Sequence, residues 1–195
     1  MQNWRNVLNT TYDKELSQVG FLFTSNQKLS SIGISLEQVF NFKGNFVLVG
    51  GLARRFHSSP RNTGDIDLLF KNEKDLDLFL QQNRGNYKLL RKHAIIVNGT
   101  EVDLLTSEFL QIPQNIVDYV FTTKVQIEDN ISIASKEGLV LLKLYRLSPT
   151  DDNDIRAVIE AGGKNLQIAD ILFLSGDKRD KIEEILEQSY MFLEE

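Results

Sequence analysis

The pattern of apolar and polar residues in the middle of the chain predicts a strand, a helix and a second strand in close succession. An apolar run over Phe46–Val49 ends at a glycine pair, and a second run reaches Phe70 after two aspartates that flank one isoleucine. Short apolar runs bounded by glycine or polar residues indicate buried strands. We therefore expect a short helix from about Gly51 to His57 and a strand over Asp65–Phe70.

The next part of the chain predicts a helix followed by a β-hairpin. Apolar residues repeat at three and four positions over 73–82, as one face of a helix requires. Asn98-Gly99 lies between the runs HAIIV and TEVDLL, and this dipeptide between β-rich runs is the strongest short-range signal for a hairpin. Asp103 is therefore expected on an antiparallel strand.

The last third of the chain changes to a mainly helical pattern. After a helical piece near 107–121 and a β-like stretch over 125–133, Ser135 is expected to cap one helix. Thr150 is expected to cap a second helix, which Gly162-Gly163 ends. A final helix is expected over about 178–193. Its apolar stripe contains Ile182, Ile185, Leu186 and Met191.

These elements predict an α/β (α+β) fold, in which a small mixed β-sheet with flanking helices is followed by a helical C-terminal third. We expect a core with N-terminal helices over 1–134, and a helical region over 135–195 that packs on it. Near the N-terminus, 34–42 has the apolar spacing of a helix.

Composition narrows the class of protein. A chain of 195 residues, 42% of them hydrophobic, is long enough to bury a sizeable core. The absence of cysteine excludes disulfides and thiolate metal sites, and it suits a reducing cytoplasm. A net charge of −5 does not favour general attraction to nucleic acid. No apolar stretch reaches the roughly 20 residues of a membrane span, so we expect a soluble, cytoplasmic protein without a membrane partner.

Asp65 and Asp67 are the first candidates for chemistry. Residues two apart on a strand share a face, which places their Cα atoms roughly 7 Å apart. Their repulsion requires an offset from water, a basic group or a divalent cation. Carboxylate oxygens suit magnesium, and Asp103 is the natural third ligand. Three aspartates on adjacent strands form the kind of cage used in two-metal phosphoryl transfer.

The residues before these acids suggest a site for an anion. A turn without side chains at Gly50-Gly51 would let a phosphate approach the N–H groups at the start of a helix. Four basic residues follow within a short distance: Arg54, Arg55, His57 and Arg61. The first three are more typical of a solvated helix face than of a recognition surface, whereas Arg61 fits either interpretation.

Together these residues resemble the signature of the nucleotidyltransferase fold shared with DNA polymerase beta. The shared pattern is the glycine pair, thirteen residues, then Asp-Ile-Asp, with a later aspartate in EVDLL. The RNT before the acids is similar to the R-x-T of the minimal and AbiEii-like bacterial branches. The segment KLYRLSPTDDNDI, residues 143–155, is similar to the later AbiEii motif of a helical lysine and a D-x-x-D. The resemblance covers about 46–160.

The resemblance implies transfer of a nucleoside monophosphate from a nucleoside triphosphate (NTP), ATP among them, to an acceptor hydroxyl, with release of pyrophosphate. Asp65 and Asp67 would bind two Mg²⁺ or Mn²⁺ ions and the triphosphate, and Asp103 would hold one metal and act as the base. The nucleotide would contact Gly50, Gly51, Arg61, Thr63 and Lys143. Arg54, Asp151 and Asp154 would give support.

Other interpretations of the later residues stay open. Lys143 also fits a lysine that buries its stem and exposes its charge. The two later aspartates also fit a negatively charged helix start, or partners that orient Lys143 or Arg146.

The acceptor implied by the resemblance is tRNA, a protein or a small molecule. Resemblance to AbiEii-like proteins suggests the toxin of a toxin-antitoxin or phage-defence pair, with a cognate antitoxin as partner. The alternative is a non-catalytic nucleotide- or partner-binding protein of the same fold. Haloacid-dehalogenase-like phosphatases and nucleotide-sugar glycosyltransferases also use a D-x-D, but neither explains the upstream glycine pair.

Overall fold

A computed structural model describes residues 42–58, 65–128, 131–146, 148 and 150–191. Arg61, Thr63 and, apart from Phe42, the helix expected over 34–42 lie outside the described residues, as does the side chain of Met191. Within the described part of the chain, no helix combines the length and apolar content needed to cross a membrane.

The described residues form a seven-stranded mixed sheet. Its strands are β1 Phe46–Leu48, β2 Ile66–Phe70, β3 Lys88–Arg91, β4 Ala94–Val97, β5 Thr100–Leu105, β6 Val125–Glu128 and β7 Ile131–Ile133. The order across the sheet is β3-β4-β5-β2-β1-β7-β6. β2 pairs parallel to β5 and β1 parallel to β7, and the other neighbouring pairs are antiparallel. The predicted mixed sheet is confirmed.

Eight α-helices accompany the sheet in the described part of the chain. They are α1 Gly50–His57, α2 Glu73–Gln82, α3 Ser107–Leu110, α4 Gln114–Thr123, α5 Lys136–Arg146, α6 Asp151–Gly162, α7 Ile168–Leu174 and α8 Arg179–Met191. The last four give the predicted helical C-terminal portion. The division into regions at residue 134 stays a prediction, because one hydrophobic core runs from Phe42 to Leu186.

Side-chain caps explain where some of these helices begin. The Asn72 side chain accepts the Asp75 N–H at 2.9 Å, and Ser135 Oγ accepts the Gly138 N–H at 3.1 Å, as predicted for Ser135. The prediction that Thr150 caps α6 is wrong. Its backbone is already helical, with φ −92° and ψ −13°, and its hydroxyl does not cap the helix.

Three turns follow the local sequence. Asn98 and Gly99 have φ values of 49° and 87°, so both are left-handed, as a tight hairpin turn requires. Gly163, with φ 49°, ends α6 as predicted. The single helical piece expected near 107–121 is instead two helices, because Gln111 adopts φ 56° and Pro113 supplies no N–H for a continuous helix.

The central strand β2 is buried along its whole length, which accounts for its nearly continuous apolar run and makes Asp67 the exception within it. On one side of the sheet, Phe79 of α2 packs against three other phenylalanine rings. Its ring centroid lies 5.1 Å from Phe42, 5.8 Å from Phe46 and 4.9 Å from Phe70. This aromatic cluster fixes α2 on β1 and β2.

Replacing Phe79 by alanine is expected to lower the free energy of unfolding by about 3–5 kcal/mol, because it leaves a cavity in a close-packed core. Urea unfolding followed by circular dichroism measures the loss. Phe173→Ala is the matched control. Phe173 is 83% exposed, and its loss should change stability by less than about 0.5 kcal/mol. Equal effects of the two substitutions would contradict the assignment of Phe79 to the core.

Candidate active site

Three carboxylates converge where β2 begins. Asp67 of β2 lies directly beside Asp103 of β5 in parallel register, and Asp65 immediately precedes β2. One oxygen from each of the three carboxylates lies within 4.8 Å of the other two. Asp65 is exposed, Asp103 is half-buried and Asp67 is only 6% exposed. The sheet therefore holds three like charges around one point.

The electrostatics of this acidic cluster (Asp65, Asp67 and Asp103) disfavour full ionisation without a counter-charge. Burial raises the pKa of Asp67 to about 6, and the nearby charges of Asp65 and Asp103 add to that effect. Burial and the charge of Glu101 also raise the pKa of Asp103. The donor set consists of hard oxygen ligands around a partly open point, which fits Mg²⁺ or Mn²⁺. These are the residues that would hold the metal.

Arg91 of β3 partly neutralises the negative charge at Asp103. Arg91 Nη2 lies 3.1 Å from Asp103 Oδ1 and 2.6 Å from Glu101 Oε1. Neither Arg91 nor the strand β3 that carries it is predicted by the pattern of the sequence. All four residues of that edge strand are exposed, so they lack the alternation that marks a strand with one buried face.

The glycine pair is explained first by its contact with Asp67. Gly50 has φ 61°, and a Cβ atom on it would lie 1.8 Å from Asp67 Oδ2. The Gly51 N–H donates a hydrogen bond to Asp67, which opposes the rise in its pKa. Only glycine at position 50 allows the start of α1 to approach this carboxylate so closely. The contact of these glycines with a phosphate stays a prediction.

A cavity opens beside the glycine pair and Asp67. Two cations of α5, Lys143 and Arg146, line it together with Gly50 and Asp67. Its remaining walls are Val49, Leu105, Leu110, Leu139 and Leu142. Polar groups of both signs therefore meet at a mainly apolar cavity.

Behind the cavity lies a buried ion network that joins α1, α5 and α6. Lys143 Nζ is 3.1 Å from Asp151 Oδ1 and 2.7 Å from Asp154 Oδ2, and Arg54 Nε is 3.3 Å from Asp154 Oδ1. Both aspartates are fully buried and do not line the cavity. Of the interpretations left open for them, the structure supports the one in which they orient basic residues.

Arg146 completes this network at the cavity side. Its guanidinium donates to both oxygens of Asp151, at 3.0 Å from Nε and 2.9 Å from Nη2. Burial alone would raise the pKa of Asp151, but hydrogen bonds from Arg146 and Ser148 hold it well below its usual range. The signal in the sequence was the spacing of three between Lys143 and Arg146, which puts both cations on one helix face.

The basic cluster on α1 is not the solvated face expected from the sequence. Arg54 is 8% exposed and pairs with Asp154, and His57 is also buried. A ring nitrogen of His57 lies 2.6 Å from the carbonyl oxygen of Ala134, and burial lowers the pKa of His57 to about 4. The solvated interpretation is therefore wrong for these two residues, which join α1 to the rest of the fold.

Gly50→Ala is expected to destabilise the protein more than Gly99→Ala does. Both glycines have positive φ, which costs an alanine about 1–2 kcal/mol, but nothing lies within 4 Å of a Cβ at Gly99. The clash with Asp67 should add about 1–3 kcal/mol at position 50. Denaturant unfolding measures both variants. Equal losses would show that Asp67 does not require Gly50.

The pH dependence of stability tests the burial of Asp67. In metal-free protein its pKa rises from 3.8 to about 6 on folding, so the folded state prefers the protonated form. The contribution of Asp67 to the free energy of unfolding is therefore largest below 3.8, its pKa in the unfolded chain. This contribution is lost as the pH rises through about 6, its pKa in the folded protein. The loss is of the order of 2–3 kcal/mol. Unfolding of wild type and Asp67→Asn in chelator from pH 4 to 7 measures it. Parallel profiles would contradict the raised pKa.

The comparison with known families agrees with this geometry. A family described as "Nucleotidyltransferase of unknown function (DUF6036)" matches residues 27–188, a range that contains the acidic cluster, the glycine pair and the ion network. A comparison with curated proteins found no match. Because the matched range covers most of the chain, the protein belongs to this nucleotidyltransferase family.

Proposed function

We propose that the protein is a metal-dependent nucleotidyltransferase that moves a nucleoside monophosphate from an NTP to an acceptor hydroxyl. The observation that carries this proposal is the convergence of Asp65, Asp67 and Asp103 within 4.8 Å beside a cavity with two cations. The acids supply ligands for divalent cations, and the cations supply charge for phosphates. Membership of the family supports nucleotidyl transfer in general.

Each group has a role in the proposed reaction. Bound Mg²⁺ or Mn²⁺, with two ions expected, would neutralise the phosphate oxygens and polarise the reacting phosphorus. Asp65 and Asp67 hold the metals, and Asp103 accepts the proton of the acceptor hydroxyl, to which its raised pKa is suited. The acceptor oxygen forms a bond to the α-phosphorus while the bond to the bridging oxygen breaks. Pyrophosphate leaves with that oxygen.

The glycine pair and α5 complete the proposed nucleotide site. Gly50 lines the cavity at the start of α1, and Gly51 follows it in the first turn, where backbone N–H groups and the helix dipole favour an anion. The apolar cavity wall would exclude water from the phosphates. Arg61 and Thr63, which the sequence assigns to the nucleotide, stay predictions. Asp151 and Asp154 act behind the site by holding the α5 cations, and Arg54 supports them by pairing with Asp154.

We propose tRNA, a protein or a small molecule as the acceptor, and a toxin of the AbiEii-like kind, with a cognate antitoxin, as the biological setting. The support for this narrower proposal is the segment 143–155, whose lysine and two aspartates form one buried network in the structure. Incubation with Mg²⁺, each labelled NTP and cell extract tests it, because the label enters RNA, protein or a small molecule according to the acceptor.

Asp65→Asn and Asp67→Asn are expected to reduce label transfer by at least about 100-fold, because each removes a charged metal ligand. Asp77→Asn is the matched control, since Asp77 is an exposed residue of α2 outside the cluster. Full transfer by either cluster variant would contradict the metal role. NTP binding that depends on Mg²⁺ but gives no transfer to any acceptor would instead identify a non-catalytic nucleotide-binding protein.

A further inference from the structure

The two cations of the cavity, Lys143 and Arg146, differ in what surrounds them. They lie one turn apart on α5, and both line the cavity beside Asp67. The resemblance of the sequence assigns the phosphate charge to Lys143. The structure surrounds Lys143 with buried carboxylates and leaves Arg146 at the open side of the network.

Lys143 is engaged within the protein. It is 3% exposed, and two of its three N–H groups are directed at Asp151 and Asp154, which are themselves buried. Moving this ammonium toward a ligand would take one cationic partner away from each of two buried carboxylates, which is unfavourable. Its surroundings are those of a cation that stabilises the joint between α5 and α6.

Arg146 is fixed by Asp151, but part of its hydrogen-bonding capacity is not used within the protein. Its side chain is 40% exposed, and its two hydrogen bonds to Asp151 use two of the five guanidinium N–H groups. Asp151 is fixed in turn by the Ser148 N–H at 2.7 Å and by Lys143. Within the described residues, Arg146 makes no further hydrogen bond. The guanidinium is therefore oriented by one edge while its other donors remain available.

The charge of Arg146 reaches the acidic cluster. Arg146 and Asp67 line the same cavity, and Asp67 belongs to the acidic cluster with Asp65 and Asp103. A ligand between them would have to accept hydrogen bonds from a guanidinium on one side and coordinate metal on the other. Phosphate oxygens of a polyphosphate satisfy both demands.

We propose that Arg146 binds the phosphates of the nucleotide, that Asp151 positions its guanidinium, and that Lys143 is a structural cation. The proposal rests on the proposed nucleotidyltransferase function and names the residue that meets the triphosphate. It reverses the assignment of the phosphate contact to Lys143.

Calorimetric titrations with Mg²⁺ alone and with pyrophosphate in excess Mg²⁺ test the proposal without needing the base or the acceptor. Arg146→Gln is expected to weaken pyrophosphate binding by at least about tenfold, because a charge-assisted hydrogen-bond donor is lost. Affinity for Mg²⁺ alone should stay unchanged or rise, since a positive charge near the carboxylates is removed. A purely structural role of Arg146 would weaken both titrations together. Arg179→Gln, which removes an exposed arginine of α8, should change neither.

Two further variants test the structural role of Lys143 and the positioning role of Asp151 separately. Lys143→Met is expected to lower the unfolding temperature but to keep pyrophosphate affinity within about threefold at a temperature where the variant is folded. Asp151→Asn should weaken pyrophosphate binding, and in combination with Arg146→Gln it should add no further loss, because both substitutions remove the same contact. If Lys143→Met does not fold, the comparison of Arg146→Gln with its control decides the matter.

Wild-type affinity for pyrophosphate in Arg146→Gln would overturn the assignment, as would a parallel loss of Mg²⁺ binding. A folded Lys143→Met that loses pyrophosphate binding as strongly as Arg146→Gln would return the phosphate contact to Lys143. Failure of the proposed function gives a different result. In that case the wild-type protein itself binds neither Mg²⁺ with pyrophosphate nor any NTP, and this inference falls with it.

Discussion

The repulsion between Asp67 and Asp103 is the constraint around which the site is built. The parallel pairing of β2 with β5 places these two acids side by side, and Asp67 is buried in the central strand. Such an arrangement costs stability unless opposite charge or hydrogen bonds offset it. The structure supplies Arg91 at Asp103, and the Gly51 N–H and the charge of Arg146 at Asp67. These three groups offset the negative charge of the two aspartates.

A buried network of charged residues behind the cavity positions the cations of α5. Lys143, Asp151 and Asp154 form a buried network in which each ion has an opposite partner, and the network ties α5 to α6. Burial makes these pairs sensitive to the loss of one member. Arg146 is connected to this network by its two hydrogen bonds to Asp151. Arg146 is therefore positioned by Asp151, a residue that does not line the cavity.

Much of the fold could be predicted from the sequence because turns, helix caps and the spacing of apolar residues depend on residues close together in the chain. The Asn98-Gly99 turn, the Ser135 cap and the spacing of apolar residues in α2 each depend on neighbours a few positions away. The edge strand β3 could not be recognised, since its side chains are exposed. The burial of His57 was missed for another reason. It follows from a bond to Ala134, 77 positions later, and periodicity does not report such distant partners.

The cavity takes its walls from two separate parts of the described chain. Gly50 and Asp67 belong to the sheet and to the first helix, whereas Lys143 and Arg146 belong to a helix that follows the last strand. The two halves are therefore not interchangeable modules. A fragment that ends before α5 would keep all three metal-type ligands but would lose the basic wall opposite them. Recombination near residue 134 would therefore take the two sides of the cavity from different parent chains.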